Sequence, residues 1–283
     1  MAVTYVDYPA ELVAAAKSVL LELTRILNEY RDDIVIIGGW VPELLFGGHI
    51  GSLDIDLALD HIKLQEAGYK SIERILLSHG YRRDEKQPYI YHRTVKLTRE
   101  DANVESNTKV KDEIDVEVDL LSGEYAGTTR GHRHQRIQDI NARKVRGCDL
   151  AFGMYTEVQI EGTLPEGEKA AVAIRVASVV PFLVMKGMAL PRAKAKDSWD
   201  IYFCLTRYPG GLDALAQEFM PHVEHGLVQE GLLQIAAEFA SPDHMGPKHV
   251  ADFEDLRDAE TREIRKRDAY ERVDYLLKKL GFR

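Results

Sequence analysis

An apolar run, Ile34-Val35-Ile36-Ile37, meets the pair Gly38-Gly39, and a second apolar run, Ser52–Leu59, carries Asp54 and Asp56 two residues apart. Asp33–Ile37, with branched residues and a glycine stop, reads as a short buried strand, and Ser52–Leu59 reads as another. Between them Gly38-Gly39 gives a tight turn where backbone can approach a ligand, Trp40–Phe46 a short helix with Pro42 in its first turn, and Gly47-Gly48 its stop. In a strand, residues i and i+2 point to one face, so Asp54 and Asp56 stand side by side. Two such carboxylates repel, and one is pushed towards its neutral form unless a cation neutralises the pair. A divalent metal is the simplest resolution.

The remaining periodicities build a sheet followed by helices. Residues 9–30 carry Leu12, Ala15, Ala16, Val19, Leu20, Leu23, Ile26 and Leu27 at helical spacing. A helix is expected over Leu64–His79, closed by Gly80, and a strand over Tyr89–Leu97. Thr98–Lys111 is expected to be a polar connection, and Ile114–Leu121, reading IDVEVDLL, a strand with Val116, Val118 and Leu120 on one face and Asp115, Glu117 and Asp119 on the other. Arg130–Gly147 is strongly basic and reads as a loop, followed by strands near Thr156–Glu161 and Ala170–Val176. From Ser178 the period turns helical, with helices expected at 179–190, 197–207, 212–222, 227–240 and roughly 253–280. The expected class is α+β: a mixed-sheet domain over residues 1–177 and a helical C-terminal domain over residues 178–283.

Composition limits the partners. At 283 residues with 45% apolar and 29% charged side chains, the chain has the profile of a globular protein with a sizeable core. It holds no apolar run of about 18 residues, and its first residues lack the basic start of a signal peptide. Cys148 and Cys204 have no C-x-x-C spacing and read as buried thiols in a reducing cytoplasm. A net charge of −9 excludes a bulk nucleic-acid coater, whose binding depends on neutralising phosphates. A polyanion would have to be met by a local patch. Arg130–Arg146, with six basic residues plus His132 and His134, offers one beside its plainer reading as a solvated loop. The two histidines have no cysteine or third histidine at zinc spacing.

The acids define the candidate chemistry. Asp54, Asp56 and Asp119 are three carboxylates that a twisted sheet can gather, although Asp115 and Glu117 share the face of Asp119 and can substitute for it. Carboxylate oxygens with nucleotide phosphates suit Mg²⁺ or Mn²⁺. Such metals activate an attacking hydroxyl and stabilise a leaving pyrophosphate. Gly38-Gly39 supplies backbone N–H groups, and Ser52 a hydroxyl, for terminal phosphates. Taken singly, a D-x-D in a strand or a glycine pair at a turn is a common structural feature; the ordered combination carries the weight.

That combination, Gly38-Gly39-Trp40, Ser52-Leu53-Asp54-Ile55-Asp56 and Val118-Asp119-Leu120, resembles the DNA-polymerase-β-type nucleotidyltransferase superfamily, and more closely the AbiEii/AbiGii toxin group with its MenT-like members. Lys186-Gly187-Met188-Ala189-Leu190 and Arg192–Asp200 are similar to that group's K-x-x-A-L…R-x-K-x-K-D-x-x-D segment, so the resemblance spans roughly residues 30–205. It implies Asp54 and Asp56 as metal ligands and Asp119 as a ligand or as the base on an acceptor hydroxyl. It also implies Gly38, Gly39, Ser52 and Lys186 as triphosphate contacts, with the nucleotide between the two domains. Asp197 is then expected either to orient Lys186 or to cap a helix. The implied reaction transfers NMP from an NTP to an acceptor hydroxyl, in this group a tRNA 3′ end, which would make the chain a toxin with an antitoxin partner. One departure concerns acceptor or nucleotide choice: many relatives have arginine two positions before the serine, where this chain has Ile50, with His49 adjacent. The rival expectations are transfer to a small molecule such as an aminoglycoside, a non-catalytic nucleotide-binding module, and a structural protein whose acids pair with Arg93 or Lys96.

Overall fold

A computed structural model describes residues 3–65, 71–96, 113–124 and 134–283. They divide into two compact units. One comprises Tyr8–Trp40 and Gly51–Val176; the other comprises the residues up to Asp7, Val41–Ile50 and Ala177–Arg283.

The first unit is built on a mixed nine-stranded sheet. Its strands are β1 (Ile34–Ile37), β2 (Asp54–Leu59), β3 (Arg82–Arg83), β4 (Ile90–Lys96), β5 (Glu113–Gly123), β6 (His134–Ile137), β7 (Ile140–Val145), β8 (Tyr155–Thr163) and β9 (Lys169–Ala177). The order is β3-β4-β5-β2-β1-β9-β8, with β7 also on β5 and β6 on β7. β1 and β2 are antiparallel, whereas β2 and β7 both run parallel to β5. One face carries Ile55, Leu57, Val116, Val118 and Leu120, all buried. Helix α1 (Ala10–Ile26) packs against β2, β4, β5 and β8, burying Val19, Leu20 and Leu23. Arg93 of β4 aligns with Val116 and makes a forked ion pair with Glu22 of α1, at 2.8 and 2.9 Å. The structural reading that paired Arg93 with the aspartates therefore does not hold: Arg93 faces α1 and the aspartates face away.

The second unit is helical: α2 (Val41–Phe46), α4 (Val179–Ala189), α5 (Ala195–Arg207), α6 (Gly211–Phe219), α7 (Gly226–Glu238), α8 (Met245–Phe253) and α9 (Ala259–Leu280). Helix α4, VVPFLVMKGMA, is apolar nearly all round and packs against α5 and α7, as a helix without a polar face must. Val41–Ile50 belongs to this unit although it lies early in the sequence.

Three expectations change. The described part of the basic stretch is no loop: His134–Ile137 and Ile140–Val145 form an antiparallel hairpin, turning at Gln138 with φ 53°. Arg130, His132 and the rest of 130–133 lie outside the described residues, as does the polar connection Thr98–Lys111. The helix expected over Leu64–His79 is α3 (Ile72–Ser78), with Ser71 as its N-cap, residues 66–70 being outside the described ones. The last expected helix, roughly 253–280, is α9, and it is preceded by a helix that was not expected, α8, with a break at Asp255, φ 48°.

Candidate active site

The acid face is assembled by register. β2 and β5 are parallel with Asp54 opposite Glu117 and Asp56 opposite Asp119, so these acids share the face away from α1. Asp119 is buried at 7% exposure, and Asp54 and Asp56 are half-buried. Within the sheet Asp56 lies between Ile37 of β1 and Asp119 of β5. The glycine turn fits against this row. Gly38 has φ +71°, and a Cβ there would lie 1.8 Å from Asp56 Oδ2. The carboxylate therefore occupies space that any side chain at residue 38 would need. Trp40 closes the turn by donating its indole N–H to the Asp54 carbonyl at 3.0 Å. Ser52 donates its hydroxyl to Asp54 Oδ1. Gly38, Gly39, Ser52, Asp54, Asp56 and Asp119 thus belong to one unit, and the three aspartates to one sheet face.

A cation already stands on Asp119. Arg143 of β7 places Nη2 2.8 Å from Asp119 Oδ2, and its guanidinium carbon lies 5.5 Å from the Tyr89 ring centre. Leu121 pairs with Arg143 in register, which brings the arginine to the face of Asp119. Sequence reasoning named the basic stretch but not this residue; the alternation Ile140-Asn141-Ala142-Arg143 was the available signal. As a test of fit to a divalent ion, the donor set is right in kind, hard carboxylate oxygens beside a hydroxyl. Its gathering is partial: among the described residues no group of three or more His, Cys, Asp or Glu side chains is arranged to hold a metal ion. Asp54 and Asp56, on one face of β2, offer two carboxylates, and one or two are the number that Mg²⁺ takes where substrate phosphates complete its shell. Asp119 is engaged by arginine.

Lys186 and Asp197 lie in the helical unit, in a charged cluster of their own. Lys186 Nζ lies 2.6 Å from Asp197 Oδ1 and 2.7 Å from Asp200 Oδ2. Lys196 Nζ reaches Asp200 Oδ1 at 2.9 Å, and His49 Nε2 lies 2.9 Å from the same oxygen. A carboxylate only accepts, so His49 Nε2 carries the proton. The His49 ring packs against Trp199 and Phe203, at 4.8 and 4.7 Å between centres, and those two rings lie 5.5 Å from each other. Burial would lower the Lys186 pKa, but the charges of Asp200 and Asp197 override it and hold it above the ordinary lysine value. Burial would raise that of Asp200, but Lys186, Lys196 and the His49 bond hold it below the usual carboxylate range. For His49 burial wins: its pKa is lowered despite Asp200, with Lys196 and Lys186 pushing the same way. Of the two expectations for Asp197, the contact with Lys186 is the one present, since the N-cap position of α5 belongs to Lys194. Lys186 is no snorkelling surface lysine; its side chain is 13% exposed.

Sequence reasoning missed His49 and gave Asp200 no role. An apolar helix with one lysine signals a need for counter-charge, and Asp197 and Asp200 lie at helical spacing in α5. Nothing signalled His49, 151 residues from Asp200. No family model, curated protein or solved structure matches the chain.

Proposed function

We propose that the chain is a divalent-metal-dependent nucleotidyltransferase, moving NMP from an NTP to an acceptor hydroxyl. The observation that carries the reading is the in-register parallel pairing of Asp56 with Asp119 beside a D-x-D strand whose second aspartate packs on the Gly38 turn. In the proposed reaction a bond forms between the acceptor oxygen and the α-phosphorus, the bond to the bridging oxygen of pyrophosphate breaks, and the hydroxyl proton leaves to a base. Bound through Asp54 and Asp56, the metal would supply charge neutralisation at the phosphates. Ser52 fixes the Asp54 carboxylate, and the turn at Gly38 sets backbone directly against the Asp56 carboxylate. The family resemblance gives Lys186 a phosphate contact and Asp197 an orienting role; within the helical unit Lys186 is held by Asp197 and Asp200. A tRNA 3′ end as acceptor, an NTP as donor and an antitoxin as partner rest on the family resemblance; a small-molecule acceptor is the alternative within the same chemistry. No helix among the described residues is long and apolar enough to cross a membrane.

One observation favours a second reading. The Arg143–Asp119 ion pair, with no three-ligand group among the described residues, is what a sheet carrying structural acids would show. Incubation with each labelled NTP and Mg²⁺, offering tRNA or a panel of small hydroxylic acceptors, separates the readings. Label transferred by the native chain and abolished by Asp56→Ala supports the enzyme. No label transferred by either supports the structural protein, and equal labelling by the variant removes Asp56 from the proposed site.

A further inference from the structure

We propose that Arg143 is a resident counter-ion that competes with divalent metal for Asp119, and so sets how tightly the acid face takes up a metal. The inference rests on the metal-dependent reading above and deepens it by naming a positioning residue which that reading does not require.

Three observations on Arg143 carry it. Its Nη2 sits at 2.8 Å on Oδ2 of the aspartate that pairs in register with Asp56, so the positive charge is delivered to the row of acids. Delivery is specified by backbone: β7 runs parallel to β5 and aligns Arg143 with Leu121, on the Asp119 face. The guanidinium is supported from the side by Tyr89 at 5.5 Å, while its Nε is buried and makes no hydrogen bond among the described residues. An arginine selected only to brace the strand would be expected to spend that donor. Nε and Nη2 share one edge of the guanidinium, so Arg143 holds Asp119 through one donor of that fork and leaves the other without a hydrogen bond among the described residues. A carboxylate oxygen engaged by guanidinium has fewer lone pairs for a metal, so a metal that takes Asp119 through Oδ2 competes with Arg143 for it and meets its positive charge. The gathering of only two acids for a metal follows directly. Arg143 is the reason the third is withheld.

The test is Mn²⁺ binding to the whole chain without nucleotide, followed by loss of the free-ion paramagnetic resonance signal and by titration calorimetry. It uses the native protein, Arg143→Gln, Asp119→Asn and the double variant, with Asp56→Asn as a control. Arg143→Gln is expected to bind Mn²⁺ about three- to tenfold more tightly, the scale set by a partly exposed ion pair. That gain is expected to vanish when Asp119→Asn is already present, because the competition acts through that carboxylate. A gain of the same size in the Asp119→Asn background shows a general field effect and overturns the proposal. So does unchanged or weaker binding by a folded Arg143→Gln protein. If Asp56→Asn weakens Mn²⁺ binding while Arg143→Gln leaves it unaltered, the role of Arg143 falls and the metal-dependent reading stands. If no variant binds Mn²⁺, both fall.

Discussion

Gly38 and His49 show how much a single residue decides in this chain. Gly38→Ala meets two penalties, a left-handed backbone at φ +71° and a Cβ 1.8 Å from the Asp56 carboxylate. Gly47 has a similar φ, +67°, but open space around its Cα, so Gly47→Ala isolates the backbone cost. We expect the Gly47 variant to lose about 1–2 kcal/mol and the Gly38 variant at least about 1 kcal/mol more, both read by chemical denaturation. Only the Gly38 variant is expected to weaken Mn²⁺ binding, since only there must an aspartate move. His49 predicts a pH effect. Burial holds its folded pKa below the ordinary histidine value, so between that lowered value and about 6.5 the unfolded chain binds a proton that the folded chain refuses. Stability then falls as pH drops through this window, with a slope up to about 1.4 kcal/mol per pH unit. The groups around the imidazole do not offset it there: Asp200, its pKa held low by Lys186, gives up its contribution only below the usual carboxylate range, and Lys186, its pKa held high, only in strong alkali. Denaturation curves at pH 5.0–7.5 should show the slope in the native protein and a flatter profile in His49→Gln. Equal slopes would assign the effect elsewhere.

At the level of elements, α1 is locked to the sheet by one charged pair set into apolar packing. Glu22 and Arg93 have side chains 11% and 13% exposed. Removing Glu22 leaves Arg93 with Glu166, 3.5 Å away on an exposed side chain, and the Thr94 carbonyl at 3.1 Å, a loss of about 3 kcal/mol, the low end for breaking a buried pair. Glu22→Ala is expected to lose that much by urea denaturation, and the double variant Glu22→Ala/Arg93→Ala less than the sum of the singles. This lock was not legible in the sequence, because Glu22 reads as one interruption of an amphipathic helix and Arg93 as one residue of an alternating strand. What was legible followed from period. Asp33–Ile37 and Ser52–Leu59 read as strands within two residues of their observed bounds, and Asp54 and Asp56 as neighbours on one face. The β6–β7 hairpin was hidden because Arg143, Lys144 and Arg146 make the stretch read as charge, while Ile137, Ile140 and Ala142 carry the strand pattern beneath it. Helix α8 was hidden by Gly246 and Pro247, which read as breakers but occupy its first turn, where proline is tolerated. Strand pairing lay beyond any local pattern: nothing near Asp119 says that β5 runs parallel to β2 with Asp119 opposite Asp56.

At the scale of the whole molecule, the division of the chain into units is not a division of the sequence. The break in period near residue 178 marks where helices take over, yet the helical unit also owns Val41–Ile50. That segment is integral to it. Phe46 packs edge-on to Tyr208 at 6.0 Å, and His49 completes a three-ring cluster with Trp199 and Phe203 while donating to Asp200. A fragment of residues 177–283 would keep the sequence of α4–α9 but lose these contacts, leaving an apolar slot open and Asp200 short of one donor. One lost charge-assisted hydrogen bond and one lost aromatic packing contact together amount to about 2–4 kcal/mol, a large share of the stability of a domain this size. We expect the fragment to be helical by far-ultraviolet dichroism but to unfold broadly, with a weak near-ultraviolet signal from its remaining tryptophan, Trp199. Joining residues 41–50 to the same fragment through a flexible glycine–serine linker should restore a cooperative transition, and His49→Ala in that fusion should remove most of the gain. A fragment that unfolds as sharply without residues 41–50 as with them would show that the helices alone complete the unit, and would reduce His49 to a passenger on Asp200.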